Sequence, residues 1–307
     1  MNDALEDAEA EREAAASASG APARPAPAPD YGAFAPHALA RVGLAIGRAL
    51  PRGQAGLKLA GAVRPLALSG VKSGVADVEA LGLKLRLHPK DNLSEKRLFM
   101  TPQCFDPDEL EALRAVMGPG RTFADIGANA GAYSLVAAKA GGSACRVLAV
   151  EPQREMRRRL AYNARINGLS NIEITGVALS DYEGEGVMRL VAGNLGQTRF
   201  AGRARGDGEA VRVTTLLTLL DEHGVTRADA IKIDAEGSER RILSAFYAAA
   251  PRERWPHRVL LEKFDVQGEA GDEDPAPQLI KRGYAIERES RRNYVLRGPD
   301  APEAVPA

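Results

Sequence analysis

The chain has 307 residues, in which 41 Lys and Arg balance 41 Asp and Glu, and 45% of its residues are hydrophobic. This composition is typical of a soluble globular protein, and zero net charge argues against a general nucleic-acid binder, which needs surplus basic charge to neutralise phosphates. No run of about 18 apolar residues predicts a membrane span, and the two cysteines predict neither a disulfide framework nor a metal site. We therefore expect a cytoplasmic protein without a bound metal.

The two ends of the chain are predicted to lack a fixed fold. Residues 1–13 are acidic, and residues 14–29 consist almost entirely of Ala, Ser, Gly and Pro. A stretch with so little apolar area cannot offset the entropy lost on ordering. The sequence therefore predicts a disordered tail over residues 1–36 and a flexible C-terminus over residues 299–307.

Residues 37–78 are predicted to form a basic helical accessory segment. Residues 37–72 contain six cations and no acid, beside apolar residues at roughly helical spacing. A basic amphipathic helix can lie on an anionic membrane surface or bind an acidic partner. The alternative is a helix packed on the main domain with its Arg side chains in water. We favour this alternative, and we note that Gly43, Gly47, Gly53 and Gly56 weaken the predicted helix, because glycine is unfavourable in a helix interior.

Residues 79–298 are predicted to form the main domain, and a hairpin of 75–79 and 83–87 leads into its core. Acids at 106–109 favour a helix start through the helix dipole. Strands and helices then alternate: strands at 122–126, 146–150, 172–177, 211–214, 230–233 and 258–261, helices at 130–140, 154–167, 216–222, 239–248 and 278–282, and short strands around Ile286 and at 294–297. Repeated βαβ units predict an α/β, doubly wound, mainly parallel sheet with helices on both faces.

The first of these strands ends in Asp125, and Gly127, Asn129 and Gly131 follow before a helix. Ligands of open α/β sheets bind at the carboxyl ends of the strands, where glycines let the backbone approach them. A dinucleotide site has G-x-G-x-x-G and no nearby carboxylate, since an anion repels pyrophosphate. A cationic ligand without phosphate, such as S-adenosylmethionine, therefore fits better. An NAD-dependent oxidoreductase on a similar sheet remains the alternative.

The next strand ends in Glu151, about 20 residues after the glycines. A carboxylate at this place can accept hydrogen bonds from both hydroxyls of a ribose. The alternative is an acid that stabilises the start of the following helix. Together with Asp125 and the glycines, the position favours a ligand.

Three stretches, at 123–134, 178–181 and 231–239, together resemble the FkbM family of class I methyltransferases. Their combination in order is more specific than any one of them. The resemblance implies a Rossmann-like sheet of seven strands and S-adenosylmethionine-dependent methylation, usually of a hydroxyl on a small molecule, sugar or glycan; we expect no nucleic-acid partner. For the cofactor, it implies a methionine end at the first loop, a ribose at the second strand and adenine near the third, held by Asp125, Gly127, Asn129, Gly131, Glu151, Ser180 and Asp181.

Asp234 ends the strand at 230–233, and Glu236 lies two residues later. Both are expected to point into the crevice, where methyl transfer to a hydroxyl needs an aligned acceptor and a base. We predict Glu236 first and Asp234 second as that base or as an anchor for substrate hydroxyls. Lys232 is expected to pair with Asp234 or Glu262, because a buried ammonium is costly without a partner.

A polar loop at 194–199 is a candidate for contact with the acceptor through Asn194 and Gln197, because substrate choice usually lies in loops on a rigid scaffold. An ordinary surface connection is the alternative. A protein that binds S-adenosylmethionine without catalysis is a further alternative, although the acids named above are those that catalysis would need.

Overall fold

The computed structural model describes residues 28–71, 73–190, 198–200, 208–235, 237–263 and 274–302. Three predicted site residues, Glu236, Asn194 and Gln197, lie outside these ranges, as do residues 1–27 of the predicted tail. The chain divides into two compact units, Met1–Ala33 and Phe34–Ala307.

Two helices occupy the basic segment, α1 (Ala38–Ala49) and α2 (Gln54–Leu68). They are separated at Gly53, whose φ of +92° disfavours other residues. A Cβ on Gly43 would lie 2.7 Å from the Ala67 backbone nitrogen, and one on Gly47 would lie 3.0 Å from the Met100 carbonyl oxygen. The glycines of α1 are therefore the points where this helix packs most closely on its neighbours.

The next elements are the predicted hairpin and two helices. Strands β1 (Ala76–Ala80) and β2 (Leu83–Leu87) pair antiparallel, and a buried ion pair joins Arg86 Nε to Asp77 Oδ1 at 2.7 Å. Helices α3 (Leu93–Met100) and α4 (Pro107–Val116) follow. The Asn92 side chain caps α3 by accepting a hydrogen bond from the Glu95 backbone N–H at 3.1 Å.

The remaining strands alternate with helices. In chain order these elements are β3 (Thr122–Ile126), α5 (Ala132–Gly141), β4 (Arg146–Val150), α6 (Arg154–Ile166), β5 (Ile172–Thr175), β6 (Ala178–Leu179), β7 (Gly184–Leu190), β8 (Thr198–Phe200), β9 (Glu209–Thr214), α7 (Leu216–Glu222), β10 (Ala230–Ile233), α8 (Glu239–Ala249), β11 (Arg258–Glu262), α9 (Ala276–Ile280), β12 (Ala285–Glu289) and β13 (Asn293–Arg297). Most bounds agree with the predicted ones to within two residues.

Seven strands form the central sheet in the order β12-β13-β11-β10-β3-β4-β5. The five strands from β11 to β5 are parallel, and β13 is antiparallel to both of its neighbours. From β3 the chain moves outward to β5 and then returns to β10 on the other side of β3. The crevice between β3 and β10 is therefore the switch point at which open α/β sheets bind ligands.

Apolar side chains cover both faces of this sheet. On β3, Phe123 packs into one buried cluster and Ile126 into the other, as the alternation of a strand requires. Leu135 of α5 joins the first cluster, while Leu216 of α7 and Phe246 of α8 join the second. The predicted α/β, doubly wound, Rossmann-like fold with a mainly parallel seven-stranded sheet is confirmed.

Two predicted bounds are wrong for identifiable reasons. The strand predicted at 172–177 ends at Thr175, because β6 turns away into a separate sheet of order β6-β9-β7-β8. The helix predicted from 130 begins at Ala132, since Asn129 and Gly131 have left-handed φ values of +52° and +88°. Both differences lie at the carboxyl edge of the sheet, where the chain bends around the crevice.

Candidate active site

Two adjoining cavities open at the carboxyl edge of the central sheet and share Gly127, Asn129 and Asp234 in their walls. The side cavity continues past β4 towards β6, and the main cavity continues over β3 towards α3 and β11. Carboxylate and apolar side chains line the side cavity, among them Glu151, Val177, Leu179 and Met188. The main cavity is lined mainly by polar and charged side chains, among them Asn92, Arg97, Asp106, Asp125, Tyr133, Lys232, Glu262 and Arg292.

Asp125 ends β3 with its two carboxylate oxygens in different situations. Oδ2 accepts hydrogen bonds from the Ser134 backbone N–H at 3.0 Å and from the Ser134 hydroxyl at 2.6 Å, and so satisfies the first turn of α5. Oδ1 is buried and has no hydrogen-bond partner among the described residues. Burial raises the pKa of this carboxyl. An unpaired buried acceptor in a cavity wall is suited to a ligand that donates hydrogen bonds.

The glycines after β3 are required by packing. A Cβ on Gly127 would overlap the carbonyl oxygen of Asp234, and one on Gly131 would overlap the side chain of Leu160. Both residues also have positive φ, +75° and +88°. Protein atoms thus fill the space that each missing Cβ leaves. The sequence predicts a different reason for these glycines, namely that a ligand approaches the backbone there. Gly127 lines both cavities, whereas Gly131 is buried.

Asn129 connects the β3 loop to two other elements. Its side-chain Oδ1 accepts hydrogen bonds from the Ala130 backbone N–H and from Asn92 Nδ2, both at 2.7 Å. Its own backbone N–H donates to Glu151 Oε2 at 2.8 Å. This one residue therefore fixes the start of α3 and the end of β4 around the crevice.

Glu151 lies in the wall of the side cavity and is 7% exposed. Its second oxygen, Oε1, accepts from the Gln153 backbone N–H at 2.8 Å, so both oxygens are held by main-chain donors. Burial raises its pKa to about 7. Each carboxylate oxygen keeps a further lone pair for a ligand hydroxyl, as a ribose-binding residue requires.

The segment predicted to lie near adenine contributes apolar side chains to the side cavity. Val177 and Leu179 line it, and Met188 of β7 faces them. Ser180 is fully buried and donates from its hydroxyl to Asp181 Oδ1 at 3.1 Å, while Asp181 itself is exposed. The wall of the side cavity is thus formed by Val177 and Leu179, which precede the predicted residues Ser180 and Asp181 in the chain.

The main cavity contains a pair of opposite charges on β10. Lys232 Nζ lies 2.9 Å from Asp234 Oδ2 and 4.9 Å from the centroid of the Tyr133 ring. The predicted ion pair is confirmed. Burial alone would raise the pKa of Asp234, but the Lys232 ammonium lowers it below its ordinary value. Burial alone would likewise lower the pKa of Lys232, but Asp234 and Asp125 raise it. Both groups are therefore charged at neutral pH.

Glu262, which sequence reasoning considered only as a partner for Lys232, lies at the end of β11 beside this pair. It accepts a hydrogen bond from Arg292 Nη2 at 3.0 Å and is close enough to Asp234 for the two negative charges to interact. Burial and then the neighbouring Asp234 raise its pKa to about 7. Its position after a parallel strand, like that of Asp234, was a signal that could have identified it.

Three further groups in the main cavity were not identified from the sequence. Asp106 has a left-handed φ of +39° and accepts a hydrogen bond from the Tyr133 hydroxyl at 3.0 Å. Burial, followed by Glu109, raises the pKa of Asp106. Burial and the nearby Arg292 lower the pKa of Arg97. The acid at 106 had been interpreted only as part of a helix start.

The loop between β10 and α8 is held by Glu239 at the helix start. Its carboxylate accepts hydrogen bonds from the backbone N–H groups of Ala235 at 2.6 Å and Gly237 at 3.0 Å. These two residues flank position 236. Within the described ranges, no three His, Cys, Asp or Glu side chains form a group that could hold a metal ion.

Residues 125–275 match the family model described as the methyltransferase FkbM domain. This part of the chain is an FkbM methyltransferase domain. The predicted family is confirmed for these residues, and the family match supports the predicted cofactor, S-adenosylmethionine.

Individual relatives are distant. AmbE of Pseudomonas aeruginosa, an AMB antimetabolite synthetase, is 27% identical in an alignment of length 224 that covers 60% of this chain and 10% of AmbE. This chain thus spans about a tenth of the length of that curated relative. Precorrin-6y C5,15-methyltransferase of Geobacter metallireducens is 14% identical with a TM-score of 0.41, covering 66% of this chain and 89% of that one. M. jannaschii TYW2, in complex with AdoMet, is 12% identical with a TM-score of 0.37, covering 73% and 84%.

The residues around the crevice fit S-adenosylmethionine chemically. The unpaired Asp125 Oδ1 and the ionised Asp234 suit a ligand that carries an ammonium and a sulfonium group. Glu151 is positioned for two hydroxyls, and the apolar wall of Val177, Leu179 and Met188 suits a flat base. The side cavity therefore matches the nucleoside end of the cofactor and the shared wall its methionine end.

Proposed function

We propose that the protein transfers a methyl group from S-adenosylmethionine to a hydroxyl oxygen of a small molecule, sugar or glycan. The observation that carries this proposal is Glu262, a carboxyl with a pKa of about 7 in the wall of the main cavity. A hydroxyl must lose its proton when it is methylated, and a base whose pKa is near the working pH takes that proton most effectively.

The cofactor roles follow from the contacts in the two cavities. Asp125, Gly127 and Asn129 would hold the methionine end, and Glu151 would hold the ribose. Gly131 would act indirectly, by allowing α5 to pack on Leu160. Ser180 and Asp181 would fix the strand end that presents Val177 and Leu179 to adenine.

When bound, S-adenosylmethionine supplies a methyl group on a positively charged sulfur, which leaves as a neutral thioether when the acceptor oxygen bonds to the methyl carbon. The chain's part is to orient the acceptor and to take its proton. In this proposal the hydroxyl proton passes to Glu262, while Asp234, kept ionised by Lys232, accepts a second hydrogen bond from the substrate. Arg292 keeps the Glu262 carboxylate in place.

This assignment changes the order of the predicted catalytic residues. The ion pair with Lys232 lowers the pKa of Asp234, so this carboxylate is a better anchor than a base. Glu236, which we predicted first, remains a proposed second base or anchor on the loop that Glu239 holds. Asn194 and Gln197 likewise remain proposed acceptor contacts.

Two observations support an oxygen acceptor on a small molecule. The segment after β10 contains Asp234, Ala235 and Glu236, in place of the Asn/Asp-Pro-Pro-aromatic loop of many enzymes that methylate amide or base nitrogens. In addition, AmbE, which aligns with 60% of the chain, is an antimetabolite synthetase. We therefore propose no nucleic-acid substrate.

The proposal is tested with S-adenosylmethionine carrying a labelled methyl group. The purified chain is incubated with this cofactor and a metabolite extract of the source cell, and labelled products are identified by mass spectrometry. We expect the label in a methyl ether on a small molecule or glycan. A label found on nitrogen, or only on RNA or protein, would contradict the proposed acceptor.

A parallel reaction with Glu262→Gln separates the roles of the cavity residues. This variant should still bind S-adenosylhomocysteine in a calorimeter while the labelled product is lost. The matched control is Glu289→Gln, which changes an exposed carboxylate of β12 that pairs with Lys263, and this variant should label the product normally.

A further inference from the structure

Helices α1 and α2 expose an unusual number of large apolar side chains. Leu39, Val42 and Ile46 of α1 are 58%, 52% and 43% exposed, and Leu59 of α2 is 55% exposed. The three residues of α1 follow the i, i+3, i+7 spacing of one helix face. Only three other large hydrophobic residues in the described part of the chain are as exposed, and they lie apart at Leu93, Ile280 and Ile286. The four residues of α1 and α2 are named here the apolar hairpin face.

The same two helices and their connection also carry exposed cations. Arg41, Arg52, Lys58 and Arg64 are all exposed, and residues 31–76 contain no acidic residue at all. The local charge is therefore strongly positive although the chain as a whole has zero formal net charge.

Exposed apolar side chains together with exposed cations favour one class of partner. An acidic protein segment would satisfy the cations but would leave the leucines, valine and isoleucine in water. A bilayer with anionic lipids satisfies both, because apolar side chains enter the boundary between headgroups and acyl chains while cations meet the lipid phosphates. We propose that α1 and α2 dock the enzyme on an anionic membrane surface.

The dimensions require contact in the plane of the bilayer. Helix α1 has 12 residues and is therefore about 18 Å long, well short of the hydrocarbon thickness of about 30 Å. Among the described residues no helix is long and apolar enough to cross a membrane. The buried side of α1, with Ala40, Gly43 and Leu44, remains packed on the protein.

The docking surface lies one helix away from the active site. Arg48 of α1 donates a hydrogen bond to the Phe99 carbonyl oxygen at 3.2 Å, and Gly47 lies against Met100 at the end of α3. On the same helix, Arg97 and Leu98 line the main cavity. Docking would therefore bring the main cavity close to the bilayer, where an acceptor anchored in lipid could reach it.

The test is co-sedimentation of the full chain with vesicles at low salt. We expect binding to vesicles that contain phosphatidylglycerol, little binding to vesicles of phosphatidylcholine alone, and release as salt increases. Replacing Leu39, Val42 and Ile46 by Ser should weaken binding at least tenfold. Replacing Arg41, Arg52, Lys58 and Arg64 by Ala should weaken it about fivefold for each charge removed.

Matched controls come from the opposite end of the chain. Ile280→Ser with Ile286→Ser removes exposed apolar side chains, and Lys281→Ala with Arg291→Ala removes exposed cations, so neither control should change vesicle binding. Because all the substituted side chains are exposed, each variant should keep its melting temperature to within a few degrees. If a variant loses vesicle binding because it has unfolded, the measurement is repeated with Val42→Ser alone.

Three outcomes would overturn the proposal. The first is equal binding to neutral and anionic vesicles, and the second is unchanged binding by the serine or alanine variants. The third is vesicle binding that develops only when residues 1–27 are removed, which would assign the apolar hairpin face to the chain's own acidic N-terminal segment. None of these measurements involves methyl transfer, so their result is independent of the proposed reaction.

Discussion

The side cavity and the main cavity hold their carboxylates in different ways. In the side cavity, Glu151 is fixed by two backbone N–H groups, those of Asn129 and Gln153. In the main cavity, Asp234 is held by the side chain of Lys232, and Glu262 is held by the side chain of Arg292.

This difference matches what each cavity must do. Backbone donors have no rotamer freedom and do not titrate, so they suit a site whose ligand is the same in every reaction. Side-chain partners carry charge, and the charge decides which carboxyl loses its proton first. In the proposed reaction, one cavity serves constant cofactor binding and the other serves proton transfer, and Gly127, Asn129 and Asp234 are common to both.

The largest expected effect is in the main cavity. Glu262→Gln removes the proposed base and should lower turnover by about 10²–10⁴-fold, the usual contribution of general base catalysis. With the wild-type chain, turnover should increase with pH through about 7, because the pKa of Glu262 is about 7 and only its ionised form accepts the proton. The pH–rate profile of both chains, measured with the identified acceptor, checks this.

Binding provides the control for that variant. The affinity for S-adenosylhomocysteine should be the same in Glu262→Gln and the wild type, because Glu262 lies in the main cavity and not in the side cavity. A turnover that is unaffected would remove Glu262 as the base and return that role to the β10 loop.

The second-largest effect is expected from a substitution at Gly127, in the wall that the two cavities share. Gly127→Ala places a Cβ on the Asp234 carbonyl oxygen at a residue with φ of +75°. We expect the free energy of unfolding to decrease by more than about 3 kcal/mol, from overpacking together with backbone strain. The matched variant is Gly142→Ala, where φ is +69° but no atom lies within 4 Å. It should lose only about 1–2 kcal/mol, from the backbone term alone. Urea denaturation of both measures the difference.

The third prediction concerns the side cavity alone. Glu151→Ala removes the acceptor proposed for the ribose hydroxyls and should weaken binding of S-adenosylhomocysteine by about 1–3 kcal/mol, the usual loss for hydrogen bonds to a charged group. Titration calorimetry gives the affinity. Turnover at saturating cofactor should change much less than in Glu262→Gln, and an unchanged affinity would refute the ribose role.

The smallest effect is on stability. The pKa of Glu151 is raised to about 7 in the folded chain, so its contribution to stability is fully present below its ordinary pKa of 4.5 and is lost as pH increases through 7. Glu151→Gln lacks this titration. Its free energy of unfolding should therefore decrease less than that of the wild type between about pH 5 and 8. Equal slopes in denaturation measured across that range would contradict the raised pKa.

Much of the fold could be predicted from the sequence because each element is specified locally. The strands Thr122–Ile126, Arg146–Val150 and Ala230–Ile233 and the helix Leu216–Glu222 have the predicted bounds, since short apolar runs and polar turns define them. The rule that ligands bind at carboxyl ends of parallel strands then located Asp125, Glu151 and Asp234 in the cavity walls.

What could not be predicted depends on distant neighbours. A Cβ on Gly127 would overlap Asp234, a residue far away in the chain, so no local sequence pattern could predict this restriction. The left-handed backbone of Asp106 and its bond to Tyr133 depend on packing in the same way. The pKa of Glu262 is raised by burial and then by Asp234 at the end of the adjacent strand, and both depend on the strand order.

The close approach of Gly127 to Asp234 has a consequence for how this enzyme can change over evolution. The loop after β3, proposed to hold the cofactor, and the loop after β10, proposed to carry the reaction, touch through a space smaller than one methyl group. Neither loop can be remodelled here without moving the other. New acceptors would therefore be acquired by substitutions on the far side of the main cavity, on α3 and at Arg292, while the junction of the two loops stays as it is.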